Sequence, residues 1–206
     1  MANKNIPQIR FKGFDGVWEE NKLNYYLEVS SEKNSLNLYG IYDVLSVSGE
    51  VGVVNQIEFQ GKSFAGASVS NYGVLRTGEV TYTKSPLKSC PYGIIKTNKG
   101  DTGIVSVLYG VFKSKGVNTD FVQDYFDLIS RLNNYLRPLV NKGAKNTLLI
   151  SDNDALEGMV KFPKSNSEQT RIASLFTSLD RQISLQEQKT EKLKAIKKTL
   201  QKKMFV

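Results

Sequence analysis

The side chains of this 206-residue chain that could do chemistry are basic, amide and hydroxyl groups. They cluster with aromatic residues in segments predicted to be loops. Lysine and arginine neutralise phosphates, and asparagine, serine and lysine also reach base edges. The pattern therefore favours contact with nucleic acid, although each such residue taken alone is more often a solvated surface group. The candidate contact residues are Ser68, Asn71, Tyr72, Lys84, Ser85, Lys88, Lys96, Lys99, Lys142, Lys145 and Asn146.

Few residues of the chain are suited to catalysis. The sequence contains no histidine, which removes most zinc sites, the imidazole general base and the histidine-dependent triads. It also lacks a glycine-rich cofactor fingerprint and a phosphate loop. Asp152, Asp154 and Glu157 form the one acidic group that suggests Mg²⁺, but carboxylates before a strand are far more often caps or solvated groups. We therefore expect a protein that is not an enzyme, without a metal or cofactor of its own.

The charge distribution also favours a polyanionic partner. The formal net charge is +8, and residues 167–206 hold nine Lys/Arg against four Asp/Glu. A basic balance favours nucleic acid, although cytosolic proteins are often mildly basic without such a partner. With a single cysteine, Cys90, and neither a long apolar run nor a signal-peptide pattern, we expect a soluble cytoplasmic protein that does not enter a membrane.

The longest predicted element is a helix over 166–206, which contains neither glycine nor proline. Asn166 or Ser167 is expected to cap it, with Glu168 in its first turn. Apolar residues recur every three or four positions, which is typical of a coiled-coil seam. A stripe along a helix of about 55 Å needs a partner helix to cover it. The predicted seam residues are Leu179, Ile183, Gln186, Thr190, Leu193, Ile196, Leu200 and Met204.

Residues 1–165 are predicted to form a globular domain of mixed strands and helices. The fold class is therefore α+β: a mixed α/β domain followed by a long C-terminal coiled-coil helix. Periodicity and turn residues place the elements of the domain. They are a short helix over Asn21–Ser31, strands over 78–84, 92–97, 148–151 and 159–163, one buried strand over Gly103–Phe112, and a helix over Thr119–Leu139 capped by Thr119 or Asp120 and closed by Pro138.

Four stretches, in one order, span nearly the whole chain. They are Pro7…Arg10-Phe11-Lys12-Gly13-Phe14…Trp18-Glu19…Leu23; Gly78-Glu79-Val80-Thr81-Tyr82-Thr83-Lys84-Ser85; Gly103-Ile104-Val105-Ser106…Tyr109-Gly110-Val111-Phe112; and Pro163…Glu168-Gln169…Ile172-Ala173…Leu179-Asp180-Arg181-Gln182-Ile183, then Leu193…Leu200-Gln201…Met204-Phe205. They resemble the specificity (S) subunit of type I restriction–modification systems: the opening of its target recognition domain, its Tyr-x-Lys-Ser strand, its core strand and its conserved-region helix.

The resemblance covers half of such a subunit, because a complete one carries two recognition domains and two helices. The family implies that the helices pair antiparallel, so a half-length chain is expected to form a homodimer in which Gln186 and Thr190 meet their copies near a two-fold axis. It also implies double-stranded DNA as partner, a modification subunit that binds S-adenosylmethionine and methylates adenine, and a restriction subunit that uses ATP and Mg²⁺.

The first hypothesis is therefore a non-catalytic DNA-recognition subunit that reads one half of a bipartite target and directs methylation and cleavage by partner subunits. The alternative is a coiled-coil interaction or scaffold protein without sequence-specific DNA binding. An intrinsic nuclease receives little support from the residues. Selective, salt-sensitive DNA binding separates the first two hypotheses.

Overall fold

The computed structural model describes residues 5–84, 86–87, 89–142 and 148–205. The chain divides into two compact units, Met1–Thr170 and Arg171–Val206. The predicted α+β class with a long C-terminal helix is confirmed. Among the helices of the described residues, none is both long and apolar enough to cross a membrane.

The strands of the described residues all belong to the first unit. They are β1 Glu19–Lys22, β2 Leu27–Val29, β3 Leu45–Ser48, β4 Gly52–Asn55, β5 Gly73–Leu75, β6 Val80–Thr83, β7 Ile94–Thr97, β8 Gly103–Val105, β9 Tyr109–Ser114, β10 Asn141–Lys142, β11 Leu148–Leu149 and β12 Met159–Phe162. The helices are α1 Gln56–Gln60, α2 Thr119–Asp127, α3 Ile129–Leu136 and α4 Asn166–Met204.

A four-stranded antiparallel sheet in the order β2-β9-β6-β7 forms the centre of the first unit. Every residue of β6 and β7 is buried, including the threonines. Burying a hydroxyl is costly unless it is hydrogen-bonded, and the Thr81 hydroxyl donates to the Gly110 carbonyl oxygen at 2.9 Å. Tyr82 and Phe112 are almost completely buried and contribute large apolar side chains to the core.

Helix α2 packs on β7 and is fixed there by side-chain hydrogen bonds. The Thr97 backbone N–H donates to Gln123 Oε1 at 2.9 Å, and the Thr97 hydroxyl donates to the Thr119 carbonyl oxygen at 2.6 Å. On the apolar face of α2, Phe121 and Tyr125 each lie edge-on to Phe162, with ring centroids 5.0 Å apart. These rings join α2 to β12, which pairs with β1 near the other end of the chain.

Smaller antiparallel pairs surround the sheet: β3–β4, β5–β8 and β10–β11. The predicted strands over 78–84, 92–97, 148–151 and 159–163 correspond to β6, β7, β11 and β12. Residues 49–51 turn between β3 and β4, so the glycines at 49 and 52 mark that hairpin.

Two predictions made from local patterns were wrong because long-range pairing decides the backbone there. Asn21–Ser31 is not a helix: it contains the end of β1, a single 3₁₀ turn and β2, because β1 pairs with β12 and β2 pairs with β9. Gly103–Phe112 is not one strand but β8 and most of β9. A turn over 106–108 lies between them, and Tyr109 N–H donates to the Ser106 carbonyl oxygen at 3.0 Å.

The predicted helix over Thr119–Leu139 is also interrupted. Leu128 has an extended backbone (ψ 104°), so α2 and α3 are separate helices, and Pro138 lies in a 3₁₀ turn. The Arg131 side chain turns back from α3 and donates to the Tyr125 carbonyl oxygen at 2.9 Å, which satisfies a carbonyl at the end of α2. The cap is Asn118 rather than Thr119 or Asp120, since its side chain accepts from Phe121 N–H.

The first turn of α4 belongs to the first unit. It is anchored by contacts between the N-terminal motif, which contains Arg10 and Trp18, and the motif at the start of the helix, which contains Glu168. The Arg10 guanidinium donates two hydrogen bonds to Glu168, at 2.7 and 2.8 Å, and Trp18 Nε1 donates to the same carboxylate at 3.3 Å. Glu168 is 2% exposed, and its hydrogen bonds raise the pKa of Arg10. Gln169 accepts from Asn118 N–H at 2.9 Å and donates to the Pro163 carbonyl oxygen at 3.0 Å.

Neither residue predicted to cap α4 does so in the expected way. The helix begins at Asn166, whose side chain donates to the Gly116 carbonyl oxygen at 2.8 Å. The residue in front of it, Ser165, provides the carbonyl that accepts from Glu168 and Gln169 N–H. The amide of Asn166 is therefore used to hold the helix against the β9–α2 connection.

We predict that Arg10→Ala lowers the urea midpoint of unfolding, because it leaves the buried Glu168 carboxylate without its cation. The combined Arg10→Met and Glu168→Leu variant should recover most of that loss, since breaking a buried ion pair costs far more than replacing both partners by apolar groups. Equal midpoints for the single and the combined variants would contradict this account.

Candidate nucleic-acid interface

Two segments that carry predicted contact residues lie at one end of the paired strands, beside a third loop. Gly73, the first residue of β5, pairs with Val105, and Thr83, the last residue of β6, pairs with Tyr109. The turn 106–108 connects Val105 to Tyr109, and Lys84 N–H donates to the Leu108 carbonyl oxygen at 3.0 Å. Residues 68–72, Lys84 and 106–108 are therefore brought together, and we call them the loop end.

Lys84 is held at the loop end by a carboxylate. Its Nζ lies 2.9 Å from Asp152 Oδ1 and 3.4 Å from the Val107 carbonyl oxygen, and its side chain is 23% exposed. Gly110 leaves room for this arrangement, because a Cβ there would lie 2.4 Å from Asp152 Oδ1. The ammonium is thus fixed in position but still reaches solvent.

The loop before β5 presents its predicted residues in different ways. Ser68 is exposed, and its hydroxyl lies 3.0 Å from that of Ser70. Asn71 is exposed, whereas Tyr72 is half-buried against the core cluster that contains Val69. Ser68 and Asn71 are therefore accessible to a partner, and Tyr72 also contributes to packing.

Lys96 and Lys99 lie away from the loop end and pair with helix α2. The Lys96 Nζ lies 2.6 Å from Asp127 Oδ1, and its side chain is only 10% exposed. Lys99 follows the opposite end of β7, 3.5 Å from Asp120 Oδ1, and is 42% exposed. Lys96 thus forms a largely buried ion pair with Asp127 at the end of α2, whereas Lys99 remains open to solvent.

The remaining predicted contact residues are not characterised by the structure. Ser85, Lys88, Lys145 and Asn146 lie outside the described residues. Lys142 is in β10, where it pairs with Leu148. All of these residues stay predictions.

The acidic group considered for Mg²⁺ is engaged within the fold. Asp152 pairs with Lys84, Asp154 accepts from the Ser151 hydroxyl at 2.7 Å, and Glu157 accepts from Lys22 and Asn24, both at 2.7 Å. The bonds to Lys22 and Asn24 lower the pKa of Glu157. Within the described residues, no group of three or more acidic, cysteine or histidine side chains is placed to hold a metal ion.

One feature beside the loop end was missed by the sequence reasoning. The turn over 34–38 carries Leu36 and Leu38, which are 79% and 77% exposed. It is built on Asn34, 2% exposed, whose backbone N–H donates to the Tyr72 carbonyl oxygen at 3.0 Å. The available signal was the asparagine-rich run at 34–37, which is typical of a turn.

The comparisons with known proteins give a likeness of fold. No protein-family model matches the chain, and no curated protein is similar to it. A chain from the structure that describes complex assembly and conformational transition of the type I R-M system matches with a TM-score of 0.56 and 15% identity, over 97% of this chain and 50% of its own length. The HsdS subunit from Thermoanaerobacter tengcongensis matches with a TM-score of 0.56 and 14% identity, over 95% of this chain and 49% of its own length.

These matches define the class of fold. The chain has the fold seen in HsdS specificity subunits of type I restriction–modification systems, as the sequence motifs predicted. It spans about half the length of the structures that it matches.

We predict that Lys96→Ala destabilises the protein by about 1.5–3 kcal/mol, the usual contribution of a hydrogen bond to a charged group. Lys99→Ala serves as the matched control and should change stability by less than about 1 kcal/mol, because its ion pair is exposed. Urea unfolding of both variants measures the difference. A Lys96→Ala variant as stable as the control would mean that the Asp127 pair is not structural.

Proposed function

We propose that the chain is the DNA-recognition subunit of a type I restriction–modification complex and works as an antiparallel homodimer. The observation that carries the proposal is the extent of the fold match: nearly all of this chain matches one half of a specificity subunit. One recognition unit and one long helix are what a single half supplies. Two copies would then provide the two units and two helices of a complete subunit.

The spacing of the seam on α4 supports a pair of identical, antiparallel helices. Along α4, the positions 172, 176, 179, 183, 186, 190, 193, 197, 200 and 204 follow alternating steps of four and three residues and are symmetric about Gln188. Lys197 stands in this series where the predicted seam has its neighbour Ile196. An antiparallel pair with its two-fold axis at that level places every position of this series opposite another position of the series. The facing pairs are Ile172 with Met204, Phe176 with Leu200, Leu179 with Lys197, Ile183 with Leu193, and Gln186 with Thr190.

At its centre, this register pairs one polar side chain with another. Gln186 and Thr190 face each other, and the Thr190 hydroxyl already donates to the Gln186 carbonyl oxygen at 2.8 Å within the helix. Because the Thr190 hydroxyl is engaged within its own helix, its methyl group is left to face Gln186 of the other helix. The Gln186 amide at the centre of the pair therefore has both apolar and polar neighbours. A shift by one heptad that places Thr190 against Leu193 would shorten the overlap and leave Ile172 and Phe176 without a facing residue.

The charge of α4 favours the antiparallel arrangement. Residues 171–187 hold two basic and two acidic side chains, whereas residues 188–205 hold seven lysines and Glu191. A parallel pair would bring the two lysine-rich halves together, and like charges in contact are destabilising. An antiparallel pair places each lysine-rich half beside the neutral half of the other helix.

The long exposed side chains of the seam are consistent with this partner. Ile183 and Leu193 are 56% and 57% exposed in the single chain, which is costly for large apolar residues in water. Helix α4 has 39 residues and a length of about 58 Å. A rod of that length corresponds to about one and a half turns of B-DNA, so the two half-sites would be separated by an unread spacer.

In this proposal the chemistry belongs to partner subunits. The modification subunit supplies S-adenosylmethionine-dependent adenine methylation, and the restriction subunit supplies ATP- and Mg²⁺-dependent cleavage. The loop end of the recognition unit contacts DNA, where Lys84 offers a positioned charge and Ser68 and Asn71 offer groups that reach phosphates or base edges. The protein is proposed to act in the cytoplasm, where its DNA target is found.

The first test is genome-wide adenine methylation in cells that express the chain with a cognate modification subunit. We expect a symmetric, interrupted motif, because two identical recognition units read the two halves. Cells that lack the chain provide the control. An asymmetric motif would contradict the homodimer, and the absence of a motif together with unselective DNA binding would favour the scaffold alternative.

The register is tested by engineered disulfides in a Cys90→Ala background. Ile183→Cys combined with Leu193→Cys should give a covalent dimer on oxidation, because the two positions face each other across the pair. Each single cysteine should stay uncrosslinked, since the antiparallel pair separates equivalent positions by about 15 Å along the axis. Crosslinking of the single variants would indicate a parallel pair, and a monomeric mass for the uncrosslinked protein would exclude either pair.

A further inference from the structure

The turn over 34–38 exposes two leucines and is closed by hydrogen bonds of Asn34. The Asn34 side chain donates to the Tyr39 carbonyl oxygen at 2.8 Å and accepts from Tyr39 N–H at 3.1 Å, which closes the turn from both sides. Asn37 N–H donates to the Asn34 carbonyl oxygen at 2.9 Å. The turn is therefore held by hydrogen bonds within the single chain.

The backbone of the turn also takes an uncommon conformation. Asn37 lies in the left-handed region with φ 52°, and among the described residues it is the one residue other than glycine with a positive φ. Asparagine tolerates this region better than most residues. It stands between Leu36 and Leu38, and both leucines are directed to solvent. Uncommon backbone conformations held in place by their surroundings are frequent at functional sites.

The turn is continuous with the loop end. Asn34 Nδ2 donates to the Val69 carbonyl oxygen at 3.3 Å, and Lys33 forms a β-bridge with Gly73. The two leucines therefore project from a turn that packs on residues 68–73, beside the exposed Ser68 and Asn71. The turn itself contributes a hydroxyl at Ser35 and an amide at Asn37.

We propose that Leu36 and Leu38 form an apolar wedge that enters a groove of the target duplex and unstacks one base step. This inference rests on the proposed DNA-recognition function. Proteins that kink DNA insert leucine and similar side chains between base pairs in this way. A turn that is already hydrogen-bonded suits the task, because its conformational entropy is lost on folding and not on binding.

The residues near the two leucines favour DNA as the partner. Lys84 at the loop end provides a positioned positive charge, and Ser68 and Asn71 provide groups for phosphates or base edges. Burial of leucine at a base step also selects for sequences that unstack easily, such as pyrimidine–purine steps. The wedge would thus let the protein discriminate between DNA sequences at a base step to which it makes no hydrogen bond.

The experiment uses the full chain with its modification subunit and a synthetic duplex that contains the methylated motif. 2-Aminopurine is placed in turn at each position of one half-site. Wild-type protein should raise the fluorescence at one step, and Leu36→Ser combined with Leu38→Ser should abolish that rise. The same variant should weaken binding by about tenfold or more, as expected for two leucines that lose their burial.

Two matched variants separate the wedge from general effects. Ile9→Ala removes another aliphatic side chain, 92% exposed, from the segment beside Arg10, and should leave affinity and fluorescence unchanged. Leu36→Met combined with Leu38→Met keeps the apolar volume and should retain both signals. Thermal unfolding of each variant checks that the fold is intact.

The outcomes distinguish this inference from the function on which it rests. If wild-type protein binds the motif selectively but the serine variant binds and unstacks equally well, the wedge is wrong and the proposed function stands. If the serine variant loses the modification subunit but still unstacks DNA, the turn is a protein contact and the wedge is wrong. If wild-type protein shows no selectivity for any duplex, the proposed function itself fails.

Discussion

The rest of the structure depends on one buried charge, the carboxylate of Glu168 in the first turn of α4. A carboxylate that is 2% exposed is unfavourable unless it is paired and hydrogen-bonded. Arg10 and Trp18 meet that requirement from the N-terminal segment, so this segment and the start of the helix are fixed together. Gln169 adds the β9–α2 connection to the same junction through Asn118. The Glu-Gln pair at 168–169 is therefore a structural junction between distant parts of the chain.

This junction illustrates what the sequence can predict. The opening stretch with Arg10 and Trp18 and the helix start with Glu168 were both recognisable as motifs, and the long helix and most strands of the sheet followed from periodicity and turn residues. Their contact was not predictable, because it depends on a separation of about 150 positions that no local pattern encodes. The same limit explains the errors at Asn21–Ser31 and Gly103–Phe112, where pairing with β12, β5 and β6 decides the backbone.

The candidate interface shows a related limit. Residue type identified lysines as possible phosphate contacts, but their burial and partners depend on tertiary structure. Lys96 is enclosed with Asp127, whereas Lys84 is held by Asp152 and still reaches solvent. Leu36 and Leu38 were overlooked for the opposite reason, since an apolar residue in a sequence is expected to be buried. Their exposure follows from the conformation of the turn, which the Asn34 side chain holds by hydrogen bonds to the backbone of Tyr39.

A symmetric pair of helices and a wedge at the loop end would place different demands on DNA. The proposed helix pair would fix a distance, and so it would select the length of the spacer but not its sequence. The proposed wedge would select a deformable step within each half-site, and a two-fold pair would apply that selection twice. Because the two deformations would lie about one and a half helical turns apart, their bends would point in different directions and would not simply add. Spacer length and half-site sequence would therefore be coupled through the shape of the DNA.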